Sequence, residues 1–210
     1  DGIYNNDVTH ATAIFQTNCG LKPTGQLDPP TFQKAVPLGY HIVLSFKGDI
    51  TTDAFPPLPA IQPLTNQAAR KALLGDLQFV PAPTAQDKES IRITNQWDRQ
   101  HVVKISIPQL IPIKGNDVVY FHKKGAAQLQ ALFAVWERNG WLDRILTWEG
   151  SYVPRLIRGS RTTLSNHAYA TAFDINYQWN RLGTTPALLG QKGCVRELAS
   201  IAHRFGFYWG

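Results

Sequence analysis

Long apolar runs are missing from this chain. No stretch approaches the roughly 20 residues that a membrane-crossing helix needs, so a helical span is not expected. Cysteine is scarce, with only Cys19 and Cys194. They are far apart in sequence, which favours free thiols over a bridge. With no Cys-x-x-Cys pair, a cysteine-based zinc site is excluded. Dense Lys/Arg blocks are also missing, although the formal net charge is +6. That charge suits a polyanionic partner, or serves solubility alone; without basic blocks, neither nucleic acid nor membrane is expected. No signal-peptide pattern begins at Asp1, so the route of any export is not legible.

What is present fits an ordinary globular chain. Its 210 residues are 43% hydrophobic and 17% charged, enough for a core and for one large domain or two smaller ones. The pattern divides into three parts: residues 1–36, a proline-rich connector over 37–65, and residues 66–210. In the first, Asp7 is placed to cap a helix with an apolar face of Val8, Ala11, Ile14 and Phe15, closed by Gly20. Asp28 and Pro29 restart a second helix as cap and first-turn proline. The connector holds a strand candidate, Tyr40–Phe46, and then the prolines of 55–63, which keep the backbone extended.

In the third part, Thr65 to Leu74 reads as a helix capped by Thr65 and stopped by Gly75. Ile91–Thr94, His101–Ile107 and Val118–Phe121 alternate like strands, with a turn between Trp97 and His101. His101 reads as a surface or hydrogen-bonded histidine. His122 to Arg138 is the best helix pattern, with Leu129, Leu132, Phe133 and Trp136 on one stripe and Asn139-Gly140 as its stop. That stripe is a core face, able to back a sheet. Ile145–Trp148 and Ala172–Tyr177 read as strands, Val195–Phe205 as a helix, and Phe207 as the start of another strand. The expected class is α+β: a small helical module, then a domain with a mainly antiparallel sheet backed by helices.

The chemistry concentrates in Leu164-Ser165-Asn166-His167-Ala168-Tyr169-Ala170-Thr171-Ala172-Phe173-Asp174. His167 falls in a loop and Asp174 in the strand that follows, so a bulged approach brings both side chains to one point. An imidazole nitrogen and a carboxylate oxygen are a usual partial ligand set for zinc. Such a pair also occurs as an ordinary surface pair. Upstream, Tyr152, Arg155 and Arg158 follow a strand and a glycine turn. Arginine there offers a bidentate fork for a carboxylate, or a structural ion pair.

The Ser165-x-His167 and Ala172-x-Asp174 pattern resembles the zinc D-alanyl-D-alanine carboxypeptidase and L-alanyl-D-glutamate endopeptidase family (VanY-like) over about residues 66–210. There the pattern is Ser-x-His-x-x-Gly-x-Ala-x-Asp. The resemblance implies that His167 and Asp174 bind Zn2+ and that Ser165 lies at the site rim, with Arg155 first and Arg158 second as the substrate-facing arginine. It places the third zinc ligand and the general base beyond Gly210; His203, on the preceding helix, is the nearest histidine in this sequence. Ala170 stands where the family has Gly, which is harmless at negative φ and strained at positive φ. Separately, Thr9–Gln16 with Gly20-Leu21, Gly25 and Asp28 resembles the peptidoglycan-binding domain, whose first helix would precede Asp1.

The resemblances imply a monomeric zinc metallopeptidase of the extracellular or periplasmic wall, cutting peptidoglycan peptides, with Arg155 in the catalytic set. Which bond it cuts is not legible. The alternative is a non-catalytic wall-binding protein on a degenerate peptidase scaffold. A third reading, an effector delivered into a competitor, has no residue that speaks for it.

Overall fold

A computed structural model of the chain describes residues 6–35, 63–64 and 66–210. The chain divides into two units, residues 1–47 and 48–210, and each is described by itself. The expected strand Tyr40–Phe46, nearly all of the proline connector and the Thr65 cap lie outside the described residues.

The first unit is a helical hairpin held by a buried amide. Helix α1 (Asn6–Asn18) and helix α2 (Pro29–Ala35) flank a turn. Gln16 is fully buried, and its Nε2 donates to Thr24 Oγ1, the Gln26 carbonyl and Thr31 Oγ1 at 2.9, 2.8 and 2.7 Å. Its Oε1 accepts from the Gly25 N–H at 2.8 Å. Asp28 caps α2 by accepting the Thr31 N–H at 2.9 Å, with Pro29 at the first helical position. The expected apolar face is corrected. Val8 and Ile14 are 40% and 50% exposed, and the buried side of α1 is polar, formed by Thr12 and Gln16. Four hydrogen bonds to one amide outweigh the period of the apolar residues in setting which side faces in. Asp7 lies inside α1 rather than before it.

The second unit is α+β. In order it contains α3 (Gln67–Leu74), β1 (Phe79–Pro81), β2 (Ile91–Ile93), α4 (Trp97–His101) and β3 (Val102–Ser106). There follow α5 (Ile111–Lys114), β4 (Val118–His122), α6 (Ala126–Arg138), β5 (Trp148–Gly150), β6 (Asp174–Ile175) and α7 (Arg196–Arg204). The strands pair antiparallel as β1–β2, β3–β4 and β5–β6. Asn66 caps α3, accepting the Ala68 and Ala69 N–H groups at 2.8 and 3.2 Å. Residues 97–101, expected as a turn, form the short helix α4. The expected strand over Ile145–Trp148 begins only at Trp148, and no strand forms at 207–210.

The helix expected from His122 begins at Ala126 instead. His122 belongs to β4, where it pairs with Val102, and its N–H donates to the Ala170 carbonyl at 2.7 Å. The stripe of α6 is core: Leu129, Leu132, Phe133 and Trp136 are each at most 1% exposed. Burying side chains of this size stabilises by roughly 1.5–3 kcal/mol each. Phe133 meets Trp148 and Phe173 at ring separations of 6.0 and 6.1 Å, and Trp148 stacks on Phe173 at 5.7 Å. Helix α6 therefore backs the β5–β6 pair through an aromatic layer.

A second core gathers Leu74, Leu77, Ile91, Trp97, Leu156, Leu164, Ala168 and Tyr169. Trp97 stacks on His101 at 5.0 Å, His101 on His122 at 5.6 Å, and Tyr169 meets Trp97 edge-on at 5.5 Å. The fully buried His122 ring has Nε2 3.3 Å from the Leu74 carbonyl, and its Nδ1 accepts the Lys124 N–H at 3.2 Å. That fixes a neutral ring with the proton on Nε2. Gly75, at φ 94, is the α3 stop, and a Cβ there would lie 2.9 Å from both the Trp97 indole nitrogen and His101 Nε2.

Burial lowers the pKa of His101 and of His122, and Lys123 and Lys124 push both further down. Each ring takes up a proton more readily unfolded than folded. Their contribution is therefore complete above the ordinary histidine range and is lost as pH falls below it. Acidification from neutral pH is expected to lower stability by less than about 1.4 kcal/mol per pH unit for each ring, with the partly exposed His101 giving the smaller share. Denaturant melts of wild type and His122→Gln across this range check it. A wild-type stability that rises on acidification contradicts it.

Candidate metal centre

The centre is built from the two stretches expected to carry it. Strand β6 is only two residues long, not the six expected, because Asn176 turns the chain out at φ 54. Asn is among the few side chains that take this left-handed backbone readily. Asn176 is fully buried, and its Oδ1 accepts the Leu146 and Thr147 N–H groups at 2.8 and 3.1 Å. Its Nδ2 donates to the Arg144 and Gly193 carbonyls at 2.7 and 3.2 Å. Every polar position of the amide is used, so the end of β6 is fixed. Asp174, two residues earlier, pairs with Gly150 across the sheet beside a bulge.

His167 sits in a chain of tight turns. The Ala168, Tyr169 and Ala170 N–H groups donate to the Ser165, Asn166 and His167 carbonyls at 3.0, 3.2 and 3.1 Å. Neighbouring segments hold this loop. The Val153 N–H donates to the His167 carbonyl at 3.1 Å, and the Ser165 N–H to the Arg155 carbonyl at 3.1 Å. The buried Arg70 guanidinium donates to the Leu164 carbonyl at 2.8 Å. Isolated bridges Ser90↔Arg155 and Leu156↔Leu164 continue the β1–β2 ribbon toward the loop.

His167 Nε2 and Asp174 Oδ2 are 3.2 Å apart. On the other side of the ring, Nδ1 is 3.1 Å from the Ser151 carbonyl. The carbonyl and the carboxylate both only accept, so the ring meets an acceptor at each nitrogen, with Nε2 the one presented to Asp174. His167 is 9% exposed, whereas the Asp174 side chain is 49% exposed, so solvent reaches the pair from the carboxylate side.

The pair fits two corners of a zinc tetrahedron. Ligand atoms at roughly 2.0–2.1 Å from one ion, at a tetrahedral angle, lie about 3.3 Å apart. The ring-to-carbonyl bond is the usual outer support of a metal-bound histidine. The fit is partial, since a catalytic zinc uses three protein ligands. Among the described residues, no group of three His, Cys, Asp or Glu side chains gathers to hold a metal. His203 is buried on α7, with its ring 6.2 Å from that of Tyr208.

The other expected site residues differ in their surroundings. Ser165 is buried, and its hydroxyl accepts the His167 N–H at 3.3 Å, which places it under the His167 loop. Arg158 Nη1 donates to Asp87 and Glu89 carboxylates at 2.6 and 2.7 Å, and it holds the Glu89 carboxyl below its usual range. Its charge is thus compensated inside the protein. Arg155 is half-buried, donates from Nη1 to the Leu156 carbonyl at 3.1 Å, and makes no ion pair among the described residues. Of the two arginines, Arg155 keeps an uncompensated charge for an anionic group. Burial, with Asp98 nearby, pushes the neighbouring Tyr152 phenol up to about 12, so it stays a neutral donor.

Sequence reasoning missed three residues that hold this centre: Arg70, Ser151 and Asn176. Only Asn176 left a signal, as an Asn directly after the strand pattern, a type enriched in left-handed backbone.

Comparison with known proteins bears on the same stretch. Residues 158–210 match a family model described as D-alanyl-D-alanine carboxypeptidase. The match includes Ser165, His167 and Asp174, and starts three residues after Arg155. No curated protein and no solved structure matches the chain. The similarity supports a peptidase of the carboxypeptidase type in general.

Ala170 tests the loop on its own. It is fully buried at φ 52, the strained case for a residue with a Cβ. Left-handed backbone costs a non-glycine residue about 1–2 kcal/mol, and glycine's extra unfolded freedom returns about 0.4–1 kcal/mol of that. The difference is roughly 0–1.6 kcal/mol, and the lost burial of the methyl takes back about 0.8 kcal/mol, so Ala170→Gly is expected to leave the stability of the second unit within about 1 kcal/mol of wild type. Denaturant unfolding measures it, and a loss larger than that contradicts the reading.

Proposed function

We propose that the chain is a zinc-dependent peptidase of bacterial wall peptides, with His167 and Asp174 as metal ligands. One observation carries this reading: an imidazole fixed by the Ser151 carbonyl presents Nε2 3.2 Å from a solvent-facing carboxylate oxygen. It does so inside the stretch that is similar to the carboxypeptidase family. A third ligand is to be supplied from outside the described residues.

Zinc so held supplies Lewis acidity to a scissile carbonyl and acidifies water. The chain's own residues orient and bind. The Ser165 hydroxyl and the turns of 166–170 hold the ring of His167 in place. Arg155, with no carboxylate partner among the described residues, offers its remaining guanidinium donors to a substrate carboxylate or to the developing oxyanion. A free peptide carboxylate is the group a carboxypeptidase must recognise, and an uncompensated arginine suits it. Arg158 fits a different task, tying the 157–163 turn to Asp87 and Glu89.

A second reading has one observation in its favour. Only two ligands gather among the described residues, which suits a wall-binding protein on a peptidase scaffold. The hairpin of the first unit, whose Gln16, Gly25 and Asp28 carry the peptidoglycan-binding resemblance, serves either reading.

With two ligands, zinc binding is expected to be weak and to need both. Calorimetric titration should show His167→Ala and Asp174→Ala each removing the binding, with the double variant no worse than either. Uptake unchanged by both substitutions contradicts the ligand assignment. Digestion of purified peptidoglycan with and without chelator separates the readings. Chelator-sensitive release of peptides supports the peptidase, and adsorption to the wall without release supports the binding protein.

A further inference from the structure

We propose that Arg92 is a substrate-binding residue: with Arg155 it forms a two-cation strip beside His167 that takes a peptide carrying a second carboxylate, two residues before its terminal one. This rests on the peptidase reading of the site and names a substrate class for it.

Backbone register places the strip. Within the β1–β2 pair, Arg92 stands opposite Val80. On its other side, β2 meets residues 153–157. Ser90 bridges Arg155, the Ile91 N–H donates to the Pro154 carbonyl at 3.0 Å, and the Leu156 N–H donates to the Glu89 carbonyl at 2.9 Å. That antiparallel register sets Arg92 opposite Val153. Val153 in turn stands opposite His167, whose carbonyl accepts the Val153 N–H at 3.1 Å. One row therefore runs Val80, Arg92, Val153, His167 across four segments. Residues directly opposite one another share a face, and the face alternates along each segment. The alternate positions Ile91, Leu156 and Leu164 belong to the core, so the row that holds Arg92, and Arg155 two residues beyond Val153, lie on the opposite face. Exposure agrees: Val80 and Val153 are 37% and 36% exposed, and Arg92 is exposed. At the end of the row, His167 is covered by Asp174 and the Ser151 carbonyl.

The charges on this face are unbalanced. Arg92 and Arg155 are diagonal neighbours on adjacent segments, a placement that sets backbones about 7–8 Å apart. Charges so close are little screened at physiological salt. Neither arginine makes an ion pair among the described residues. Asp87 and Glu89, which flank the start of β2, are taken by Arg158. Two cations held together without a counter-charge favour a ligand with two anionic groups. An extended peptide advances about 3.3 Å per residue. With its terminal carboxylate on Arg155, the side chain two residues earlier reaches Arg92. Val153 lies between them and offers an apolar step that suits a small apolar residue at the intervening position.

The test uses the full chain and two synthetic peptides, acetyl-Glu-D-Ala-D-Ala and acetyl-Gln-D-Ala-D-Ala, which differ only in the second charge. Calorimetry measures binding with chelator and with zinc, and product analysis measures cleavage. Wild type is expected to bind the glutamate peptide roughly threefold to fivefold more tightly, a preference that fades with added salt. Arg92→Ala is expected to bind the two peptides equally, Arg92→Lys to keep the preference, and Arg92→Glu to reverse it. Where cleavage occurs, the preference should lie in KM and not in kcat. A wild type that binds both peptides equally, or neither, with zinc and without, overturns the proposal. So does a preference that persists in Arg92→Ala. If neither peptide is cleaved with zinc supplied but the Arg92-dependent preference remains, the strip stands and the peptidase reading fails. Chelator-sensitive cleavage of both peptides without preference keeps the peptidase reading and overturns the strip.

Discussion

An imidazole gripped from both sides is the constraint on which the second unit depends. The ring of His167 spans the Ser151 carbonyl and the Asp174 carboxylate, 3.1 and 3.2 Å away. Neither partner belongs to the loop that carries the histidine. One follows the bulge after β5, and the other lies in β6. To keep three chain segments in register, the fold commits buried polar groups around them: Asn176, Ser165, Ser151 and Arg70. Each is buried with hydrogen-bond partners, the arrangement in which a polar interior fixes geometry rather than weakening the core.

The apolar layers explain why this geometry can be rigid. Behind β5 and β6, the stripe of α6 meets Trp148 and Phe173 in a stack of aromatic rings. Beneath the His167 loop, Ala168 and Tyr169 enter the core with Trp97, Leu156 and Leu164. The loop is thus anchored by side chains on its inner face and by backbone hydrogen bonds at its edges. His122 connects the two layers, being paired in β4, bonded through its N–H to Ala170 and tilted against Trp97. The strained φ of Ala170 is tolerated because the loop is held on so many sides.

Elements with strong periodicity were legible in the sequence. The stripe of α6, the body of α7 and the strands β3 and β4, though not their pairing, follow from apolar spacing, because burial of one face dominates their energetics. The α1 face was not legible, because a buried glutamine with four partners set the inward side there instead of Val8 and Ile14. The start of α6 was misplaced for a similar reason: His122 continues the apolar pattern, but strand pairing with Val102 claims its backbone. In the site, residue types pointed to His167 and Asp174 because an imidazole and a carboxylate are types able to ligate a metal. The supports escaped notice because their roles run through carbonyls. Ser151 acts with its own peptide oxygen, and Arg70 on that of Leu164, and no side-chain pattern announces a backbone acceptor.

The two arginines show how structure adds to pattern. Both sit after the same glycine turn, and spacing alone treats them alike. Asp87 and Glu89 take up one and leave the other with an uncompensated charge, which ranks Arg155 ahead as an anion-binding group. The central claim is that His167 and Asp174 share one ion, and diffraction at the zinc absorption edge from zinc-soaked crystals tests it most directly. The account predicts an anomalous peak roughly 2.0–2.1 Å from both His167 Nε2 and an Asp174 carboxylate oxygen. Zinc bound elsewhere, with the ring and the carboxylate still joined directly to each other, would contradict it.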